Sequence, residues 1–202
     1  YGLMLREDGL VLDDGTSARL GEDHYLMTTT TAAAGLVMRH LDFVHQAFCA
    51  DWDVRFISVT ESWAQFAVAG PLAKMLLNAL LDERIEDFPF MTHAEVSVEG
   101  VKARLFRISF SGELSYEIAT PAGHGLALWE ALMAAGAEFG VMPYGTEAMH
   151  IMRAEKGFIM IGDETDGTVI PQDLNLGWAI SKKKADYLGK RGQERTHLAS
   201  PD

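Results

Sequence analysis

The sequence holds a single cysteine, Cys49, among 202 residues. That excludes an intramolecular disulfide framework and suits a reducing compartment, the cytoplasm. Cys49 itself reads as a small apolar filler at the end of a helix. Positive charge is also scarce: 17 Lys and Arg stand against 29 Asp and Glu, a formal net charge of −12. A field of that sign repels phosphate backbones and argues against a nucleic-acid partner, while a small anionic ligand would need local positive groups. Long apolar runs are missing too. Stretches such as Gly35 to Met38 are soon broken by charge, so no segment reads as a membrane span. None of the patterns GxSxG, GxxxxGK[ST], HExxH or GxGxxG occurs, which leaves no recognisable cradle for a flavin or nicotinamide. Seven histidines are scattered, with only His40 and His45 close together. Five positions apart on a helix, these two point roughly 140° away from each other, so no metal site is expected. The chain opens on Tyr1 with neither Met nor a basic targeting stretch, and is read as an excised segment.

What is present is punctuation. Residues 1–30 alternate strand-like runs with turn chemistry, and Asp-Gly at positions 8–9 and 14–15 marks a β-meander. Thr31 is placed to cap a helix whose apolar residues Leu36, Val37, Leu41, Val44 and Phe48 keep a helical rhythm. A strand is expected from Val54 to Ala69, ended by Gly70-Pro71, with a second helix after it carrying Leu72, Met75, Leu76 and Leu80. Residues 93–119 read as three strands, turned at Glu99-Gly100 and at Ser111-Gly112-Glu113. A third helix spans 121–139, and a fourth runs from Thr146 to Lys156 and is stopped by Gly157. Strands arriving in clusters between helices predict an α+β fold with antiparallel sheets rather than parallel βαβ winding. One domain is expected over residues 1–190. The polar residues 191–202 look like a linker or the start of a further barrel.

Three segments place charged side chains where chemistry is possible. Asp13 and Asp14 follow an apolar run, and strand neighbours face opposite sides, so one carboxylate can face a cavity while the other meets water. A turn held by Asx hydrogen bonds would explain the same residues. Glu117 lies between Tyr116 and Ile118 and shares a strand face with Ser115 and Ala119. A carboxylate in low dielectric must be paired. A ligand with an amidine-like pair of N–H groups would serve through two parallel hydrogen bonds, and so would an internal Arg104 or Arg107. Arg153, near a helix end, could bind a ligand carboxylate or simply complement the helix dipole.

The opening Tyr1 to Asp14, the run Asp23 to Thr31, Val68-Ala69-Gly70-Pro71, the stretch Ala103 to Glu117 and Pro143 to Ala148 together resemble the C-terminal part of the α subunits of heterotetrameric sarcosine oxidases. Arg153 to Gly157, Gly162-Asp163-Glu164, and Pro171 with Leu176-Gly177-Trp178 resemble the wider family of glycine-cleavage aminomethyltransferases and dimethylglycine dehydrogenases. The resemblance implies the folate-binding fold of that family, with tetrahydrofolate in a central funnel accepting a one-carbon unit from oxidised sarcosine as 5,10-methylenetetrahydrofolate. FAD, FMN and NAD would then be held only in other parts of the assembly, and the other oxidase subunits would be partners. By resemblance Asp13 is the family's functional acid, Glu117 the pterin anchor, Tyr1 and Phe110 pocket aromatics, and Arg153 a motif arginine near the folate. Phe110 departs from the pattern, since Ser109-Phe110-Ser111-Gly112-Glu113 stands where the family usually has Gly-Tyr-Thr-Gly-Glu, and a phenol is lost. A strand-rich stretch ahead of Tyr1 and a β-barrel after about Lys190 are expected by the same resemblance. Two other readings share the features: a stand-alone aminomethyltransferase or dimethylglycine dehydrogenase-like enzyme, and a non-catalytic module binding folate or a partner.

Overall fold

The computed structural model describes residues 1–195. The chain divides into two compact units, one of Tyr1–Ile57 and Ile159–Asp202, the other of Ser58–Phe158. All strand pairing is antiparallel and helices are interspersed, so the α+β class with antiparallel sheets holds. Among the described residues no helix is long and apolar enough to cross a membrane.

In the first unit the expected meander is two separate ribbons. β1 (Gly2–Leu5) pairs with β2 (Val11–Gly15), with a bulge between Met4 and Leu5, and β3 (Ser17–Arg19) pairs with β4 (Tyr25–Met27). The second Asp-Gly is not a turn. β2 runs through Asp13, Asp14 and Gly15, because Gly15 lets the Thr28 backbone approach so closely that a Cβ there would stand 1.9 Å from the Thr28 carbonyl oxygen. Thr16 and Thr28 then bind each other through backbone and hydroxyl groups. α1 (Ala34–Phe48) follows a 3-10 turn at Thr31–Ala33. Its inner face carries buried Val37, whereas Leu36 and Phe48 are 44% and 60% exposed. The expected cap at Thr31 is not made; Thr31 lies inside the 3-10 turn, and neither helical segment has a side-chain cap.

Residues 191–195 of the expected linker are packed against the first unit's opening turn. α5 (Lys190–Gln193) presses on the β1–β2 turn, where a Cβ on Gly192 would lie 2.1 Å from the Asp8 carbonyl oxygen. Buried Gln193 donates to the Gly9 carbonyl at 3.2 Å, and Arg195 donates to that of Asp8. Residues 196–202 lie outside the described residues.

The second unit is a four-stranded sheet with helices on one face. β5 (Trp63–Ala69), β6 (His93–Val98), β7 (Val101–Phe106) and β8 (Ser115–Pro121) take the spatial order β5-β8-β7-β6. The strand expected from Val54 begins only at Trp63. The predicted turn at Glu99-Gly100 is present, with φ of 50° and 76°, and both its N–H groups donate to the Asp82 carboxylate at 2.9 Å. Period-two alternation sorts the sheet's faces. Val68, Leu105, Tyr116 and Ile118 point into a core with Leu76 and Leu77 of α2 (Ala73–Leu80) and Leu128 and Leu132 of α3 (Gly125–Gly136). The opposite face carries Trp63, Gln65, Arg104, Phe106 and Glu117. α4 (Thr146–Lys156) ends as expected on Gly157, whose left-handed φ of 82° lets its N–H and that of Phe158 return to the last turn.

Candidate functional site

Glu117 occupies the middle of β8, between β5 and β7, with Ala67 and Phe106 as its register partners. Its chain neighbours Tyr116 and Ile118, 2% and 0% exposed, point into the core on the other side of the sheet, while Glu117 is half-buried on the opposite face beside Ala67 and Phe106. Burial pushes its pKa up to about 7. The internal-arginine alternative fails on geometry. Arg104 lies over the Trp63 ring at 4.1 Å. Arg107 donates to the Ser115 carbonyl at 2.8 Å and lies over the Tyr116 and Phe90 rings. Among the described residues neither forms an ion pair with Glu117. What reaches Glu117 is the amide of Gln65, whose Nε2 donates to Oε2. Tyr144 feels the same carboxyl: burial and then the Glu117 charge raise its phenol pKa.

Phe110 sits half-buried in the bend between β7 and β8. Two serine hydroxyls shape that bend, Ser109 accepting from the Gly112 N–H at 3.0 Å and Ser111 from that of Glu113. Gly112 has φ of 82° and is packed so that a Cβ would meet the Lys156 side chain at 2.6 Å. Only glycine combines that conformation with that approach, and it seats the Phe110 bend on the end of α4. Arg153, on the same helix, is buried and donates through Nη1 to the Phe158 carbonyl at 3.1 Å. Glu113 is exposed.

In the first unit the two adjacent acids part company as strand alternation requires. Asp13 is fully buried; its Oδ2 accepts the Thr30 N–H at 3.1 Å, while Oδ1 accepts no hydrogen bond from any described residue. A buried acceptor left in that state is costly. Asp14 faces the other way and accepts the Tyr1 hydroxyl at 2.8 Å. Burial raises the Asp14 pKa and the neighbouring Asp13 charge adds to it, against the Tyr1 hydrogen bond. Burial and then Asp14 push the Tyr1 phenol up as well. The Tyr1 ring stacks on Trp178 with centroids 5.8 Å apart.

Gln65 was not singled out by the sequence, and Thr30, Tyr144 and Trp178 lay in stretches that carry the resemblance without being given a site role. Gln65 had a faint signal, a polar residue among apolar ones on a strand, but the register that sets it beside Glu117 is a tertiary fact. His40 and His45 are each engaged by backbone, Nε2 lying 3.0 Å from the Leu5 carbonyl oxygen and 2.9 Å from that of Trp52 respectively. A depression between α3 and the β6–β7 hairpin is lined by Val98, Val101, Thr120, His124 and Leu128. It is shallow and holds none of the residues above.

A family model described as the GCVT N-terminal domain matches residues 1–184. The sarcosine oxidase subunit alpha of Rhizobium meliloti (strain 1021) is 50% identical over 206 residues, covering 100% of this chain and 21% of that protein. The subunit of the same name from Corynebacterium sp. (strain P-1) is 48% identical, covering 99% of this chain and 22% of its own length. The chain thus spans about a fifth of these relatives. In the crystal structure of the glycine cleavage system aminomethyltransferase T from Bartonella henselae the backbone superposes with a TM-score of 0.84 at 24% identity, covering 98% of this chain and 52% of that one. This last likeness shows a shared fold.

Proposed function

Since the chain belongs to the GCVT N-terminal domain family, we propose that it binds tetrahydrofolate as part of a sarcosine oxidase α subunit. Bound there, tetrahydrofolate would supply the nucleophilic amines that take the methylene group of oxidised sarcosine, with release of glycine. The redox cofactors and the remaining subunits of such an assembly lie outside this chain in this reading. The likeness to sarcosine oxidase α subunits at 48–50% identity, well above that to aminomethyltransferases at 28–31%, favours this over a stand-alone transferase.

The observation that carries the reading is Glu117: a half-buried carboxyl that no described arginine neutralises. It fits the N–H edge of an aminopyrimidinone, which offers two parallel donors to one carboxylate. Asp13, whose Oδ1 lacks a described partner, is assigned to orient the reacting amine and handle its proton. Tyr1 and Phe110 are assigned to the aromatic walls. Arg153, which ties the end of α4 to Phe158, is assigned to support the folate from that helix. Ring systems of this kind are held by apolar and aromatic contact, with a few polar groups fixing orientation.

Calorimetric titration of the intact protein with tetrahydrofolate at pH 8 tests the reading. Loss of charge-assisted hydrogen bonds should make Glu117→Gln bind roughly 10- to 150-fold more weakly than the parent, while Glu113→Gln, on the exposed bend, should bind nearly as the parent does. Equal affinity of Glu117→Gln and parent would move the pterin elsewhere.

A further inference from the structure

Glu117 does not stand alone on its face of the sheet. The β5–β8 register sets Gln65 opposite Ala119 and Ala67 opposite Glu117, so Gln65 and Glu117 meet diagonally, within reach of long side chains. The Gln65 amide donates to Oε2, and the folate reading gives it no role. A carboxylate has about four acceptor positions. One donor on Oε2 fixes the plane of the group and leaves Oε1 and the remaining Oε2 lone pair for an incoming N–H pair. We infer that Gln65 is a positioning residue, which orients Glu117 for its ligand and favours the ionised carboxylate that the ligand needs.

The surroundings make this one contact decisive. On β7, Phe106 is the register partner of Glu117, and Arg104, opposite Ala119, is stacked on Trp63. Arg107, just past β7, is turned to Ser115 and Tyr116. On β6, Glu95 lies opposite Arg104, and His93 lies opposite Phe106 with its ring against it. From the segment before α4, Tyr144 interacts with the Glu117 charge. On β5 the neighbours are neutral, and Gln65 is the group whose hydrogen bond stabilises the anion. Burial holds Glu117 near neutrality, so a change in this single donor moves the fraction ionised at working pH.

The experiment has two arms, both on the intact protein. In the first, with no folate present, the Glu117 carboxyl is titrated by carbon NMR of ¹³Cδ-labelled glutamate, assigned by its disappearance in Glu117→Gln. Gln65→Met keeps the length and removes the donor, so the midpoint should rise by about 1–2 pH units. Gln65→Lys puts a cation there, and the midpoint should fall below the parent's. Opposite shifts are the signature of a direct contact; a merely structural role would move both variants together or neither, and either of those results overturns the inference. The second arm rests on the folate reading and measures tetrahydrofolate Kd from pH 6 to 9. Affinity should be lost on acidification at a higher pH in Gln65→Met and at a lower pH in Gln65→Lys. Shifts in the first arm without folate binding by the parent would leave Gln65 in its role and overturn the folate reading instead. Folate profiles that ignore the NMR shifts would overturn Gln65 as a positioning residue for that ligand.

Discussion

Glu117 carries a carboxyl whose pKa is raised from 4.5 to about 7 by burial, and the sign of that shift has a consequence for stability. The folded state binds the proton more tightly than the unfolded chain, so the contribution to stability is complete below about pH 4.5 and is lost as pH climbs through 7. A shift of this size corresponds to roughly 3 kcal/mol between the two limits. Glu117→Gln removes the charge and keeps the shape. Urea denaturation should therefore find the variant more stable than the parent at pH 8, by up to roughly 3 kcal/mol, with the gap closing towards pH 4. A gap that does not change with pH would mean that the buried charge is not its source. The same substitution is expected to weaken the folate complex, so stability and binding oppose each other at this residue, as they do at many functional sites.

At the scale of elements, two glycines that look alike in the sequence do different work. Gly157 ends α4 with φ of 82° and open space around it, so Gly157→Ala pays only the left-handed conformation, about 1 kcal/mol. Gly15 has no such backbone demand, yet a Cβ would sit 1.9 Å from the Thr28 carbonyl oxygen, and backbone has to move. Moving Thr28 also pulls on Thr30, whose N–H holds Asp13. Gly15→Ala should cost roughly 2–4 kcal/mol, more than Gly157→Ala, and should disturb Asp13 as well. Thermal unfolding of the two variants side by side gives the order; a milder effect at Gly15 would contradict the packing described.

At the scale of the whole molecule, the second unit owns its core. The buried cluster from Val68 to Leu132, with Val141 packed on it, falls entirely within Ser58–Phe158. The first unit is made of two stretches: the Val11 N–H is bound by the Val169 carbonyl at 2.9 Å, and α5 holds the β1–β2 turn. A fragment of residues 58–158 should fold by itself, with dispersed amide resonances and cooperative melting. A fragment of residues 1–57 should not, since its hairpin lacks those partners. A molten 58–158 fragment would show that its core depends on the rest of the chain.

The sequence by itself determined the fold class, the turn at Glu99-Gly100, the limits of α4 and the separation of Asp13 from Asp14, because each follows from local chemistry: glycine's access to positive φ, helical periodicity, and the alternation of a strand. It also marked Glu117 as an acid in need of a partner. It could not say which partner, since Arg104 and Arg107 were as near in sequence as any ligand was in principle. The tertiary structure decided that question by giving Trp63 and Tyr116 to the arginines and Gln65 to the acid. It likewise turned an apparent meander into two ribbons and packed residues 191–195, read as the start of a linker, on the β1–β2 turn. Those outcomes depend on strand register and on contacts between distant segments, such as Gly15 with Thr28 and Asp8 with Gly192, which no local pattern encodes.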